Sequence, residues 1–428
     1  MGGALLQLVA LGQQDTFLSG NPQITFWKVV YKRHTNFAIE SIRQTHTGNY
    51  PNYTYTISRS GDLIHKCYLK VKVPRLGNGT DSSETTWLSY VNKFGHALIE
   101  SMSLKIGGVT IDTQTGEFLD IWNQLTMTTE KQDGYNAMVG IYETDIDLEF
   151  NNKERTYYIP LQFFFCQNPG LSLPLIALQY HEVQLDFDFR SFKDMLCCDS
   201  TSKIDDLLID AIFGLSAAER VFDIDLYVDY VYLDVDERRR MAQTSHEMLI
   251  TQTKQIQHVI SSGVDRDRID LKNLNHPIKE LIWVAKNNNT ASEPKNYFDF
   301  GNEHGLTYNL SNPNSPDTTS EIMKTASLTL NGTLRIEERD SLFYRCIQPY
   351  QHHTRIPMDY IYVYSFALKP EEVQPSGSCN FSRMDNAYLN VTNYKPPGVS
   401  EAFAYHIYAL NWNVLRIQSG QAGIAFTN

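Results

Sequence analysis

The run Leu63-Ile64-His65-Lys66-Cys67-Tyr68-Leu69-Lys70-Val71-Lys72-Val73 decides the fold class. Leu63, His65, Cys67, Leu69, Val71 and Val73 fall on one side, and Ile64, Lys66, Tyr68, Lys70 and Lys72 on the other. A period of two with lysines on one face reads as a half-buried strand. The rule repeats outward along the chain. Val183, Leu185, Phe187 and Phe189 alternate with Gln184, Asp186, Asp188 and Arg190. Phe222, Ile224, Leu226, Val228, Tyr230 and Tyr232 alternate with Asp223, Asp225, Tyr227 and Asp229. Further strand-like runs are Ile278–Ala285, Ala326–Ile336, Asp359–Leu368 and Phe403–Ile417. Turn clusters punctuate them, among them Gly77-Asn78-Gly79, Asn312-Pro313-Asn314-Ser315-Pro316 and Pro396-Pro397-Gly398.

Helical periodicity is scarce. Phe118, Ile121, Trp122 and Leu125 fit the i, i+3, i+4, i+7 pattern, which predicts one short amphipathic helix near 117–131. A second short helix is expected within 200–219, from Ile204, Leu207, Leu208, Ala211 and Ile212. Many strands in two halves of similar size predict an all-β chain of two consecutive eight-stranded antiparallel jelly rolls, with long loops and a few short helices. The division is placed at 215: an N-terminal arm 1–24, a first jelly roll 25–215 and a second 216–428. The arm carries no charge apart from Asp15, and its Leu5, Leu6, Leu8, Val9 and Leu11 need burial somewhere. The stretch 287–325, rich in Asn, Ser, Pro, Thr and Asp, is too long for an ordinary connection and reads as a functional loop.

Composition bounds the function. The 428 residues are 42% hydrophobic, 20% charged and 12% aromatic, with 25 Tyr and 21 Phe, which excludes a disordered or collagen-like chain. A net charge of −12 argues against a general nucleic-acid binder, because phosphate attraction needs a basic surface. No stretch reaches the ~18 apolar residues of a membrane span. The start has no basic flank of the kind a secretory signal carries; its first lysine is Lys28. Six sparse cysteines suggest neither a disulfide framework nor a zinc site.

Catalytic signatures are missing as well. There is no P-loop, no Gly-x-Gly-x-x-Gly and no nucleophile elbow. His246-Glu247 lacks the second His of a zincin, since Ile250 stands in its place. His352-His353 has no carboxylate or Cys at ligand spacing, so a surface or interface pair is expected. The Asp/Glu runs at 182–190 and 223–236 read as solvated strand faces. Asp236-Glu237-Arg238-Arg239-Arg240 and Asp265-Arg266-Asp267-Arg268 read as salt-bridged surface. Neither an enzymatic role nor a cofactor or metal is expected. Seven Asn-x-Ser/Thr sequons occur, of which Asn288, Asn309 and Asn390 are kept as candidate glycan sites.

Five segments, in order, resemble the major capsid proteins of nucleocytoplasmic large DNA viruses. The opening carries Leu18-Ser19-Gly20-Asn21-Pro22-Gln23-Ile24-Thr25-Phe26 and Lys28-Val29-Val30-Tyr31-Lys32-Arg33-His34-Thr35-Asn36-Phe37-Ala38. Then come Asn168-Pro169-Gly170-Leu171 with Leu173–Val183, Asn275–Trp283, Tyr364–Leu368 with Gln374–Ser378, and Tyr408–Asn411 with Asn413–Ile417 and Ser419-Gly420.

That resemblance implies two eight-stranded jelly rolls per chain and a homotrimer of pseudo-hexagonal outline that tiles an icosahedral shell. It implies partners: neighbouring capsomers, minor capsid proteins beneath the shell, and host-surface glycans or a receptor outside it. Neither direct nucleic-acid contact nor membrane insertion is expected. It places the protein in the virion capsid, assembled in the host cytoplasm. It makes Leu8, Asp15, Phe17, Asn21 and Pro22 an assembly arm that orders against a neighbour or a minor capsid protein. A minor or penton-type capsid protein, or a carbohydrate-binding β-sandwich, are the competing readings.

Overall fold

The computed structural model describes residues 2–27, 29–75, 88–142, 154–198, 220–261, 263–287, 297, 298, 300, 301, 321–394 and 402–427. It separates into two units, Met1–Phe37 and Ala38–Asn428. In the larger unit the alternating segments pair into antiparallel sheets. The first half contributes β1 (Phe37–Gln44), β2 (Asn52–Thr56), β3 (Leu63–Val73), β4 (Ile99–Ile106), β5 (Val109–Gln114), β6 (Arg155–Pro160), β7 (Val183–Phe189) and β8 (Asp223–Leu233). They form two sheets, ordered β1-β8-β3-β6 and β2-β7-β4-β5, with short strands at the margins. The second half contributes β9 (His246–Ile260), β10 (Arg266–Asp270), β11 (Pro277–Asn287), β12 (Met323–Leu330), β13 (Thr333–Asp340), β14 (Ile361–Ser365), β15 (Ala387–Asn393) and β16 (Phe403–Gln418). Their orders are β9-β16-β11-β14 and β10-β15-β12-β13.

The two orders are the same topology written twice: first-eighth-third-sixth against second-seventh-fourth-fifth. Each half is a jelly roll. Even the tight hairpin between the fourth and fifth strands recurs, as Gly107-Gly108 and as Asn331-Gly332. All four residues have positive φ (59, 80, 48 and 77°), as a type I′ turn needs.

Residues 223–233 belong to the first sandwich, which corrects the expected division at 215. β8 pairs with β3 from Asp223↔Lys72 to Val231↔Leu63. An eighth strand must return beside the third to close the sandwich, so the chain crosses over only after Leu233, through the helix Val235–Gln243. The helix expected within 200–219 lies outside the described residues. The smaller unit runs to Phe37, beyond the arm end expected at 24.

The deciding run folds as read, with one exception. Cys67, Leu69, Val71 and Val73 are buried, but so is Ile64, while His65 is only half-buried. The register slips between Val228 and Tyr230, opposite this end of the strand. A bulge of this kind exchanges the faces beyond it. His65 then bonds sideways to the Phe165 carbonyl, at 3.0 Å. Phe163, Phe164 and Phe165 are wholly buried, each contributing about 1.5–3 kcal/mol of apolar transfer.

Two apolar clusters hold the body. One is the interior of the second sandwich, with Trp283, Tyr362 and Tyr405. The other fills the first sandwich and continues onto Ile282, Val284, Ile361, Val363, Tyr408 and Leu410 of the second. The sheet β9-β16-β11-β14 is therefore covered on both faces. Strands buried on both faces read as unbroken apolar runs, which is the pattern of Leu281–Ala285.

Candidate functional site: the seam between the sandwiches and the exposed arm

One helix organises the seam. Thr115 caps it, its hydroxyl accepting the Phe118 N–H at 3.3 Å, and it runs Gly116–Thr126. It ends at Met127, and a separate helix, Thr129–Val139, follows where a single helix to 131 was expected. That second helix buries only Tyr135 and Val139, so its sequence shows no apolar stripe. Gly116 is required where it stands. A Cβ there would lie 2.0 Å from the His96 carbonyl oxygen and 2.4 Å from that of Ile99.

Three polar clusters radiate from Gly116–Thr126 into the second sandwich. The Glu117 carboxylate takes the Lys286 ammonium on one oxygen; its other oxygen accepts from His406 Nδ1 at 2.8 Å and from the Tyr408 hydroxyl at 3.1 Å. Burial opposes this charge, but Lys286 and His406 outweigh it and bring the carboxyl down to about 2.

Asp120 is the second. It meets Lys93 Nζ at 2.9 Å and His96 Nδ1 at 3.3 Å, and the same ammonium reaches Asp359 of the second half at 3.1 Å. Gln124 donates to both carboxylates. Burial again disfavours the charges, and their mutual attraction holds Asp120 below, and Lys93 above, the ordinary range.

Trp122 is the third. With Trp412 it walls Lys279, whose Nζ lies 5.8 and 5.1 Å from the two ring centroids and donates to the Pro370 carbonyl at 2.7 Å. Burial lowers the Lys279 pKa. The neighbouring Glu280 sits 2.9 Å from His353 Nε2, and Glu371 is 3.0 Å from His353 Nδ1. The His353 side chain is 0% exposed and His352 is half-buried, so one member of the pair expected at a surface or interface lies inside the fold. Burial disfavours its cation, yet Glu280 and then Glu371 raise the pKa to about 9. A further link joins β5 to β9. Buried Asp112 accepts the Thr253 N–H at 2.8 Å, and desolvation lifts its carboxyl to about 6.

The charged groups of Glu117, Lys286, His406, Lys93, Asp120 and Asp359 are paired with each other, and they tie the two sandwiches together. Cutting one member of such a pair strands its partner in low dielectric.

The arm residues lie together in the other unit. Leu8 is in the helix Gly3–Val9 and is 72% exposed; Phe17 is in Gln13–Ser19 and is 91% exposed. The Asp15 carboxylate accepts the Gly12 N–H at 2.8 Å and so caps that second helix. Asn21 takes a left-handed φ of 52°, and Pro22 follows it out of the helix. Neither helix buries a residue, and isolated helices shorter than ~12 residues are marginal in water. Of the candidate glycan sites, Asn288 and Asn309 lie outside the described residues. Asn390 stands mid-strand in β15, its Nδ2 within 3.3 Å of Ser327 Oγ and 3.2 Å of Thr329 Oγ1.

Residues 25–234 match the family "Major capsid protein N-terminus" and 237–423 match "Large eukaryotic DNA virus major capsid protein". The major capsid protein of Pyramimonas orientalis virus is 43% identical and that of Phaeocystis pouchetii virus 40%, each over 100% of both chains. The PBCV-1 virus capsid structure superposes with a TM-score of 0.74 at 31% identity, covering 94% of this chain and 100% of that one. The Faustovirus major capsid protein shares the fold, at a TM-score of 0.71. The chain belongs to the major capsid proteins of large eukaryotic DNA viruses, and it is a structural protein of the virion capsid.

Proposed function

We propose that the chain works as a homotrimer of pseudo-hexagonal outline, and that these trimers tile an icosahedral shell. The observation that carries this reading is the repeated strand order. Two equivalent sandwiches per chain let three chains present six similar units, which fill a hexagonal cell without six chains. The ionic seam supports it, because a ring closes only if each pair of sandwiches keeps a fixed angle.

The arm 1–37 orders against a neighbouring capsomer or a minor capsid protein beneath the shell. Leu8, Phe17 and Leu18 supply the apolar contact, and Asp15, Asn21 and Pro22 set the helix and its exit. The first sandwich takes residues 38–233 and the second 246–427, with 234–245 as the joint. The chain acts without catalysis, and assembly proceeds in the host cytoplasm. Host-surface glycans or a receptor are met at the outer face of the shell. Sedimentation of the purified full chain tests the reading: a stable trimer is expected, and a persistent monomer overturns it.

A further inference from the structure

The connection from the fifth to the sixth strand is helical in both sandwiches. In the first it holds Gly116–Thr126 and Thr129–Val139. In the second it is a helical run over 341–352, with a π turn at Phe343–Ile347 and an α turn at Gln348–His352. Single π turns inside helices are frequent at functional positions. The first connection covers β11 and β16 of the following sandwich through Glu117, Phe118 and Trp122.

Among the described residues no sandwich covers the second connection, and while Tyr344 turns inward, three of its apolar side chains are left open. Tyr350 is 77% exposed, and Leu342 and Ile347 are 47% and 43% exposed. Leu368, 72% exposed, is held beside the helix end by its carbonyl, 3.0 Å from His352 Nδ1. Clustered apolar exposure of this kind marks an interaction surface.

The matching acceptor face is β3, β6 and β8 of the first sandwich, the topological counterpart of β11, β14 and β16. Its outer side carries a tyrosine ladder in which Tyr158 is 39% exposed and Tyr68 and Tyr227 are half-buried. Tyr68 and Tyr227 stack at 5.4 Å and 3°, with Tyr158 beside Tyr68 at 6.1 Å. The Lys72–Asp223 pair borders the ladder, and Lys70 lies over Tyr227. Tyrosine is enriched where one protein surface meets another.

We infer that the helical run 341–352 of one chain covers the tyrosine face of β3, β6 and β8 on a second copy, repeating between chains the contact that Gly116–Thr126 makes within one. The inference rests on the trimer proposed above and names its surfaces. The contact is head-to-tail, so it closes a ring once six sandwiches have followed one another, which is three chains. The difference in chemistry follows from the order of events. The face covered within the chain is closed once folding is complete, and it is apolar at Ile282, Val284, Ile361 and Val363 while its charged Lys286 and His406 are paired with the covering helix. The face covered by another chain must stay soluble until assembly, and it mixes Tyr with Lys and Asp.

Cross-linking of the full chain tests this. Tyr350→Cys combined with Tyr227→Cys is expected to give covalent dimers and trimers under mild oxidation, and each single variant is expected to give none above the wild-type background. Tyr350→Asp, with unchanged far-ultraviolet circular dichroism, is expected to weaken trimerisation at least tenfold, while Leu334→Asp elsewhere on the surface does not. A trimer that persists with no cross-link and an unchanged dissociation constant overturns the inference and leaves the trimer standing. A wild-type chain that never trimerises overturns both.

Discussion

Replacing Glu117 by Gln keeps the shape of the side chain at the seam and removes its charge. The Lys286 ammonium, 19% exposed, then keeps the Tyr297 carbonyl and the Phe300 ring but no counter-charge, and His406 and Tyr408 face an amide instead of a carboxylate. Removing one partner of a buried pair costs about 3–5 kcal/mol. An independent route agrees. The carboxyl moves from 4.5 in the unfolded chain to about 2 in the fold, which is about 3 kcal/mol at neutral pH at roughly 1.4 kcal/mol per unit. The sign follows from the lowered value. The stabilisation is present above pH 4.5 and is lost as pH falls towards 2. Urea unfolding at one fixed protein concentration, followed by tryptophan fluorescence, measures the loss, since Trp122 and Trp412 sit in the same seam. The variant is expected to be about 3 kcal/mol weaker at pH 7 and to converge on the wild type near pH 2. Adding Lys286→Met is expected to recover part of the loss, because no unpaired charge then remains buried. A cost under about 1 kcal/mol at pH 7, or wild-type and variant curves that stay parallel down to pH 2, would refute the reasoning.

Further outcomes follow from other parts of the molecule. His353→Gln should remove an alkaline transition: the raised pKa means stabilisation complete below 6.5 and lost as pH rises through about 9, which a melting-temperature series from pH 6 to 10 reads directly. Gly116→Ala should lower the melting temperature by several degrees, because its Cβ meets backbone oxygens that cannot swing aside; an unchanged melting curve would show that the helix start shifts freely. Deleting residues 2–22 should leave trimers intact in sedimentation and abolish their growth into shells or sheets. Peptide mass spectrometry of virion protein should find Asn390 unmodified, since its amide nitrogen is engaged within the sheet.

Strand periodicity was legible because it depends on neighbours in the sequence. Cys67 to Val73 and Val183 to Phe189 alternate in the fold as they do in the chain. The bulge that turns Ile64 inward was not legible, because it is set by the partner strand near Val228. Nor was the boundary, since the acidic outer face of β8 carries no sign of which sandwich it closes. The seam was hidden for the same reason on a larger scale. Glu117 meets Lys286 across 169 positions and His406 across 289, and each alone reads as an ordinary surface residue. His353 looked like half of a metal-less pair until Glu280 and Glu371 were brought to either side of its ring. The one local trace of the seam was the short unbroken apolar run Leu281–Ala285, which marks a sheet with no wet face.

The central claim is that the duplicated sandwich exists to close a ring of three chains. Negative-stain electron microscopy of the purified full chain, paired with sedimentation equilibrium, tests it most directly. The account predicts particles with the mass of three 49.1-kDa chains and a hexagonal outline. A monomer, or an oligomer whose outline shows no sixfold repeat, would contradict it.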